Sequence, residues 1–216
     1  MAAAAASDSA VGLASLDLHN NALGDDGATA VVDQLLDSPA VSLRQLGLSK
    51  NGIGDTGAAR LATAIAQRSS QLVTVTLANN VIGEAGALAL LKAVRRSGTL
   101  TSLDLRGNPH ALRGKMATPA AFKAELACNL VFLHAFGAEW PARATSAEGE
   151  PLAATLEAVT AALQPAMSHV NEQVLANWRA SQYRLGPAKN DKPQLAHCVG
   201  KALRLLGSAP AVHEDL

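Results

Sequence analysis

Leu43-Arg-Gln-Leu46-Gly-Leu48-Ser-Lys-Asn51-Gly-Ile53-Gly54-Asp55-Thr-Gly57-Ala58 is the stretch that decides the fold, because the chain repeats it. It is preceded by Leu13-Ala-Ser-Leu16-Asp-Leu18-His-Asn-Asn21-Ala-Leu23-Gly24-Asp25-Asp-Gly27-Ala28. It is followed by Leu72-Val-Thr-Val75-Thr-Leu77-Ala-Asn-Asn80-Val-Ile82-Gly83-Glu84-Ala-Gly86-Ala87. A fourth start, Leu100-Thr-Ser-Leu103-Asp-Leu105-Arg-Gly-Asn108, departs from the pattern at Pro109. The first leucines recur at intervals of 30, 29 and 28 residues. Self-similarity at such a period marks a solenoid, in which each unit buries its apolar face against the next.

Each position has a physical task. Leu16 and Leu18, like their counterparts, alternate on a short strand and point inward. Asn21, Asn51, Asn80 and Asn108 are the structural asparagines, placed to bond backbone groups of neighbouring turns where the chain leaves the strand. Gly24 and Gly27 allow a tight turn. Asp25, Asp55 and Glu84 stand near a helix start, where negative charge suits the helix dipole. Apolar residues follow at helical spacing: Val31, Val32, Leu35 and Leu36, then Leu61, Ala64 and Ile65, then Leu90, Leu91 and Val94. The unit is strand, turn, helix. The expected fold class is therefore α/β: a short solenoid with parallel strands inside, helices outside and an all-helical C-terminal extension.

The LxxLxLxxN pattern is that of leucine-rich repeats. Through NxxGDxGAxxL at Asn21 to Val31 and Asn51 to Leu61, residues 13–108 resemble the ribonuclease-inhibitor-like class of these repeats. That class includes ribonuclease inhibitor, the Ran GTPase-activating protein, tropomodulins and several ciliary proteins. The resemblance implies a protein-binding scaffold, with a cytoskeletal or ciliary setting by analogy and regulation of a small GTPase as the alternative. Family members that read a GTPase have many more repeats than this chain, and a free-standing structural domain is a third reading.

Residues 1–12 read as the tail of a truncated repeat or an N-terminal cover, and 13–110 as the repeats. Residues 111–144 read as a helical cap, and 145–216 as a linker with an amphipathic helical extension. Thr118-Pro119 is a helix start, and Phe122, Leu126, Leu130 and Leu133 form a stripe that Val131, Phe132 and Phe136 widen. Leu152, Leu156, Val159, Leu163, Met167, Val170, Val174 and Trp178 advance in steps of three or four, with a kink or break expected at Pro165. A last helix from about Pro193 to Leu206 sets Leu195, Val199, Ala202 and Leu206 opposite His197, Lys201 and Arg204.

The chain of 216 residues has 18 basic and 18 acidic side chains, and neither half departs far from neutrality. Nucleic acid, which rewards a basic excess, is disfavoured as a partner. Cys128 and Cys198 lie far apart without a CxxC pattern and read as small core residues in a reducing compartment. No apolar run approaches a membrane span, and no signal-peptide pattern opens the chain, so a cytoplasmic protein is expected, with organelle import left open. His19, His110, His134, His169, His197 and His213 show no metal-ligand spacing, and no nucleotide or nucleophile motif is present. No enzyme activity, cofactor, metal or small-molecule substrate is expected. A partner protein is, received on the concave face, the N-terminal edge or the C-terminal helices. Outward strand positions comprise Asp17, His19, Gly47, Ser49, Thr76, Ala78, Asp104 and Arg106, followed by Asn20, Lys50, Asn79 and Gly107. The contact candidates are Asp17, His19, Asn20, Ser49, Lys50, Thr76, Asn79, Asp104 and Arg106.

The repeat assignment makes a direct prediction. Asn51→Ala should destabilise the protein by about 1–3 kcal/mol by stranding buried backbone groups. Asn190→Ala, in a polar loop, should cost less than about 0.5 kcal/mol. Equal urea midpoints for the two variants would refute the assignment.

Overall fold

A computed structural model of the protein describes residues 12–36, 42–67, 71–108, 111, 119–136, 140, 156–170 and 195–206. Four short strands, β1 (Ser15–Asp17), β2 (Gln45–Gly47), β3 (Thr74–Thr76) and β4 (Ser102–Asp104), pair in chain order as one parallel sheet. Between them lie α1 (Gly24–Val31, continued by a π-helical turn over Val32–Leu36), α2 (Asp55–Ala66) and α3 (Glu84–Arg96). Register follows the repeat: Leu16, Leu46, Val75 and Leu103 stand side by side.

The strand–turn–helix reading holds. Leu46, Leu48, Ile53, Leu61, Ile65, Leu77, Ile82, Leu90 and Leu103 are all essentially buried in one continuous core between sheet and helices. Parallel strands need a crossover helix, and each repeat supplies one that covers the inner face of the sheet. The four strands carry only three residues each, so side-chain packing and the turns after the strands must fix their spacing.

Among the described residues three further helices follow: α4 (Pro119–Phe136), α5 (Leu156–Val170) and α6 (Leu195–Leu205). α4 is buried on two sides. Phe122 and Leu126 close the end of the solenoid core. Ala127, Cys128, Val131 and Phe132 enter a second core with Trp140, Val159, Leu163, Cys198, Val199 and Ala202. Trp140 stacks on Phe136 with ring centroids 4.4 Å apart. Leu133, expected on the buried stripe of α4, is instead 37% exposed. One helix runs through Pro165 where a break was an alternative. Val174 and Trp178 of the expected stripe, Thr118, and the N-terminal cover at 1–8 fall outside the described residues.

Two expectations are overturned in this second core. Cys128 and Cys198 are not independent core thiols: they form a disulfide, with Cα atoms 5.1 Å apart and a sequence separation of 70. Spacing along the sequence said nothing of this, because the two cysteines meet only when α6 lies against α4. Closing a loop of that length stabilises the fold by about 4 kcal/mol in the chain-entropy model. Lys201, assigned to the solvent face of α6, is also fully buried. Its Nζ donates to the Val94 carbonyl at 2.8 Å and the Glu125 carbonyl at 3.2 Å, and lies 3.3 Å from Glu125 Oε2. Val94 is in the last turn of α3, where carbonyls have no helical partner, so the ammonium satisfies a group the helix leaves open.

Glu125 is the centre of this cluster. Arg95 Nε approaches its carboxylate at 3.4 Å and His197 Nε2 at 3.3 Å. Burial alone would raise its pKa, but the hydrogen bond from His197 and the charge of Lys201 outweigh that and hold it at about 2 rather than 4.5. Burial pulls Lys201 the other way from its ordinary value, to about 8, against the restoring charge of Glu125. A carboxyl whose folded value lies below its unfolded one confers stability above about pH 4.5 and loses it as pH falls towards 2. We predict that acidification across this window removes stability on the order of 3 kcal/mol. Glu125→Gln should flatten that loss while lowering stability at pH 7 by about 3–5 kcal/mol, because Lys201 is left buried without a counter-charge. Urea unfolding of both proteins across pH 2–7 checks it; parallel curves would show that Glu125 does not carry the acid sensitivity.

Candidate functional site

The turns after the strands build the candidate surface. Asn51 Oδ1 accepts from the Asn21 amide at 2.8 Å, and its Nδ2 donates to the Leu18 carbonyl at 2.9 Å. Asn80 does the same one repeat on, accepting from Asn51 N and Ile53 N and donating to the carbonyls of Leu48 and Leu77. Asn108 accepts from Ile82 N and donates to the carbonyls of Leu77 and Leu105. Asn21, exposed at the first strand, donates to the carbonyls of Leu18 and His19. The carboxamides of Asn51, Asn80 and Asn108 thus each tie their own turn to the one before it.

Immediately before these asparagines the backbone turns left-handed. Asn20, Lys50, Asn79 and Gly107 have φ of 61°, 56°, 56° and 73°. In that geometry the amides of Asn20, Lys50 and Asn79 donate to the carbonyls of Ser49, Ala78 and Arg106 in the next repeat. Asparagine and glycine tolerate this region; a lysine there carries strain of about 1 kcal/mol. Lys50 is exposed on a backbone conformation it does not itself favour.

Beside this ladder, Asp17, Gly47, Thr76 and Asp104 align in one cross-strand row. Asp17 leans over Gly47, where a Cβ would collide with its carboxylate, and also accepts from the His19 amide at 3.0 Å. At the far end Asp104 is 6% exposed, and its carboxylate receives Arg106 Nε at 2.9 Å and Nη2 at 2.6 Å. Ser49 and Ala78 are buried between these ends, and Thr76 is half-buried. Of the sequence candidates, Asp17, His19, Asn20, Lys50, Asn79 and Arg106 are exposed. Ser49 and Asp104 form the floor rather than reaching into solvent. What results is a row of small side chains with polar groups at both ends.

Sequence reasoning missed how the acidic residues work. Asp25 does stand in the first turn of its own helix, as expected, and in addition its Oδ1 accepts from Gly54 N at 2.7 Å and Gly57 N at 3.0 Å, capping α2 in the next repeat. Asp55 caps α3 likewise through Gly83 N at 2.7 Å and Gly86 N at 2.9 Å. A Cβ at Gly57 would lie 2.7 Å from Asp25 Oδ1, so only glycine admits the carboxylate. The signal was present in the glycines three apart, which look like turn residues until the preceding carboxylate is seen to need their amides.

At the other ends of the strands, Arg44, Gln71, Val73, Gly98, Thr99, Leu133 and Trp140 line a small cleft. Among the described residues no group of three His, Cys, Asp or Glu is placed to hold a metal, and no helix is long and apolar enough to cross a membrane.

Residues 13–32 and 41–62 match the family model described as Leucine Rich repeat. These two units are leucine-rich repeats. With β3 and β4 continuing the same sheet, the chain folds as a short leucine-rich-repeat solenoid with a helical C-terminal extension. Among solved structures it is similar to one titled leiomodin-1 actin-binding site 2, at 19% identity over 78% of this chain and 88% of that one, with a TM-score of 0.44. No curated protein matches it.

The carboxylate caps are open to a direct test. Asp25→Ala should destabilise the repeat by about 1–2 kcal/mol, since two amides at the start of α2 lose their acceptor. Asp26→Ala, one residue along and exposed, should change stability by less than about 0.5 kcal/mol. Equal effects in thermal or urea unfolding would contradict the cross-repeat cap.

Proposed function

We propose that this chain is a non-catalytic protein-binding module, an adaptor or subunit of a larger assembly, which receives its partner on the concave strand face. The observation that carries the reading is this row of small side chains with polar groups at both ends. Small side chains at Gly47, Ser49, Thr76 and Ala78 allow a partner backbone to approach closely. Asp17 and His19 at one end, and Asp104 with Arg106 at the other, set its register. Lys50 and Asn79 rise beside the floor from left-handed positions. A side chain kept in a strained backbone region at a surface is a recurrent mark of a binding site. Solenoids commonly bind on this face, because a rigid sheet presents its groups with little ordering cost.

Helices α4 to α6 are engaged with one another and with the end of the solenoid, which favours the concave face over a free helical docking arm. In finer detail, we read the repeats as the ribonuclease-inhibitor-like class and the setting as a cytoskeletal or ciliary assembly. Both refinements rest on the NxxGDxGAxxL resemblance.

Gentle crosslinking of the native protein, followed by mass spectrometry, tests the face. Crosslinks to one other protein are expected from Lys50 and not from Lys92, exposed on α3. Lys50→Asn removes the charge while suiting the left-handed backbone, so it should leave the unfolding midpoint unchanged or higher and weaken capture of that partner at least about tenfold. Lys92→Asn should leave capture unchanged. Crosslinks from Lys92 alone, or unaltered capture by the Lys50 variant, would move the binding surface elsewhere.

A further inference from the structure

The second core holds a feature that partner binding does not use: a disulfide set directly beside a charge cluster. Cys128 is one helical turn beyond Glu125 on α4, and Cys198 is one turn before Lys201 on α6. The ionic pair Glu125–Lys201 and the covalent pair Cys128–Cys198 therefore bridge the same two helices at successive turns.

We propose that the Cys128–Cys198 disulfide is a redox latch, opened by a dithiol reductant to free α6 from α4 and α5 while the repeats stay folded.

Two observations carry this. First, α6 is short: it has 11 residues, fewer than a helix needs to persist alone in water. Among its described residues the buried anchors besides the cysteine are Val199, Ala202 and the charged Lys201, whose desolvation offsets much of what its pairing contributes, while Leu203 and Leu205 are only partly buried against the same core. Second, the solenoid core holds no described residue of α6: its apolar cluster runs from Ala28 to Leu126.

The exchange balances with the dithiol as the sole co-reactant. Its thiolate attacks one cysteine sulfur, the S–S bond breaks, and the displaced cysteine thiolate takes up a proton. The second thiol of the reductant then displaces the remaining cysteine. The reductant leaves as a cyclic disulfide, and two electrons and two protons have passed to Cys128 and Cys198. Both cysteines are fully buried, so attack must wait for α6 to lift, and the opening rate of the helix sets the rate of reduction.

Amide hydrogen exchange on the full chain, oxidised and then treated with dithiothreitol, reads this directly, with alkylation and intact mass reporting the thiols. Two alkyl groups are expected only after reduction. Amides of residues 195–205 should then exchange about tenfold faster or more, those of α2 and α3 should keep their protection, and reoxidation should restore the first pattern. Three results would each overturn the latch: alkylation of both cysteines without reductant, unchanged protection of α6 in the fully reduced chain, or loss of protection across α2 and α3 as well. The last would make the bond a staple of the whole fold. Cys198→Ser is the second variant, expected to show the reduced pattern in α6 without any reductant.

Discussion

Everything in the repeat region hangs on the buried asparagine carboxamide. A three-residue strand has too few backbone bonds to fix its own spacing, and the turn after it must bury amides and carbonyls away from water. Asn51 and Asn80, both under 5% exposed, solve both problems with one side chain. Each accepts from amides of the preceding turn and donates to carbonyls on either side, so the turns are held at the strand spacing. An unpaired buried amide or carbonyl is costly enough that the position admits little else. The inward leucines then pack because the turns have placed them, and the helices follow because each strand must return to the same edge.

A second connection runs across the repeats at the helix starts. Asp25 and Asp55 reach forward to the glycine amides that open the following helix, so the end of one unit is completed by its predecessor. Coupling of this kind makes neighbouring repeats unfold together rather than singly. It stops after α3, where Asn108 is followed by Pro109 and no glycine pair awaits Glu84. The end of the stack is closed by different means. Phe122 and Leu126 cover the apolar core, Asn129 donates to the Leu100 carbonyl at 2.6 Å, and Lys201 takes the Val94 carbonyl.

These constraints bear on the recognition proposed for the concave face. Its floor is fixed by ladder bonds and by side chains such as Asp17 over Gly47, so little motion remains to be frozen when a partner arrives. The groups left exposed stand at the ends of the row and on the left-handed turn. The second core is built differently, from short helices, a charge cluster and a covalent bond. It is there, away from the ladder, that the molecule has an element whose attachment depends on solution conditions.

The sequence by itself determined the repeat period, the inward leucines, the ladder asparagines and the alternation that placed Asp17, His19, Thr76 and Arg106 on the outward side. Those features are local: a side chain's face follows from its position along a strand or helix, so periodicity reports it. Tertiary structure alone decided that Cys128 meets Cys198, that Lys201 turns inward to Glu125, that Asp25 serves the next helix and that Asp104 is covered by Arg106. It also decided that Lys50 stands on a left-handed backbone. The first three of these depend on where a second element lies, and spacing along one chain carries no measure of that distance. Lys201 shows the reason most plainly. A lysine on an amphipathic helix belongs in water unless a carboxylate and open helix carbonyls are brought to it, and only the packed helices bring them.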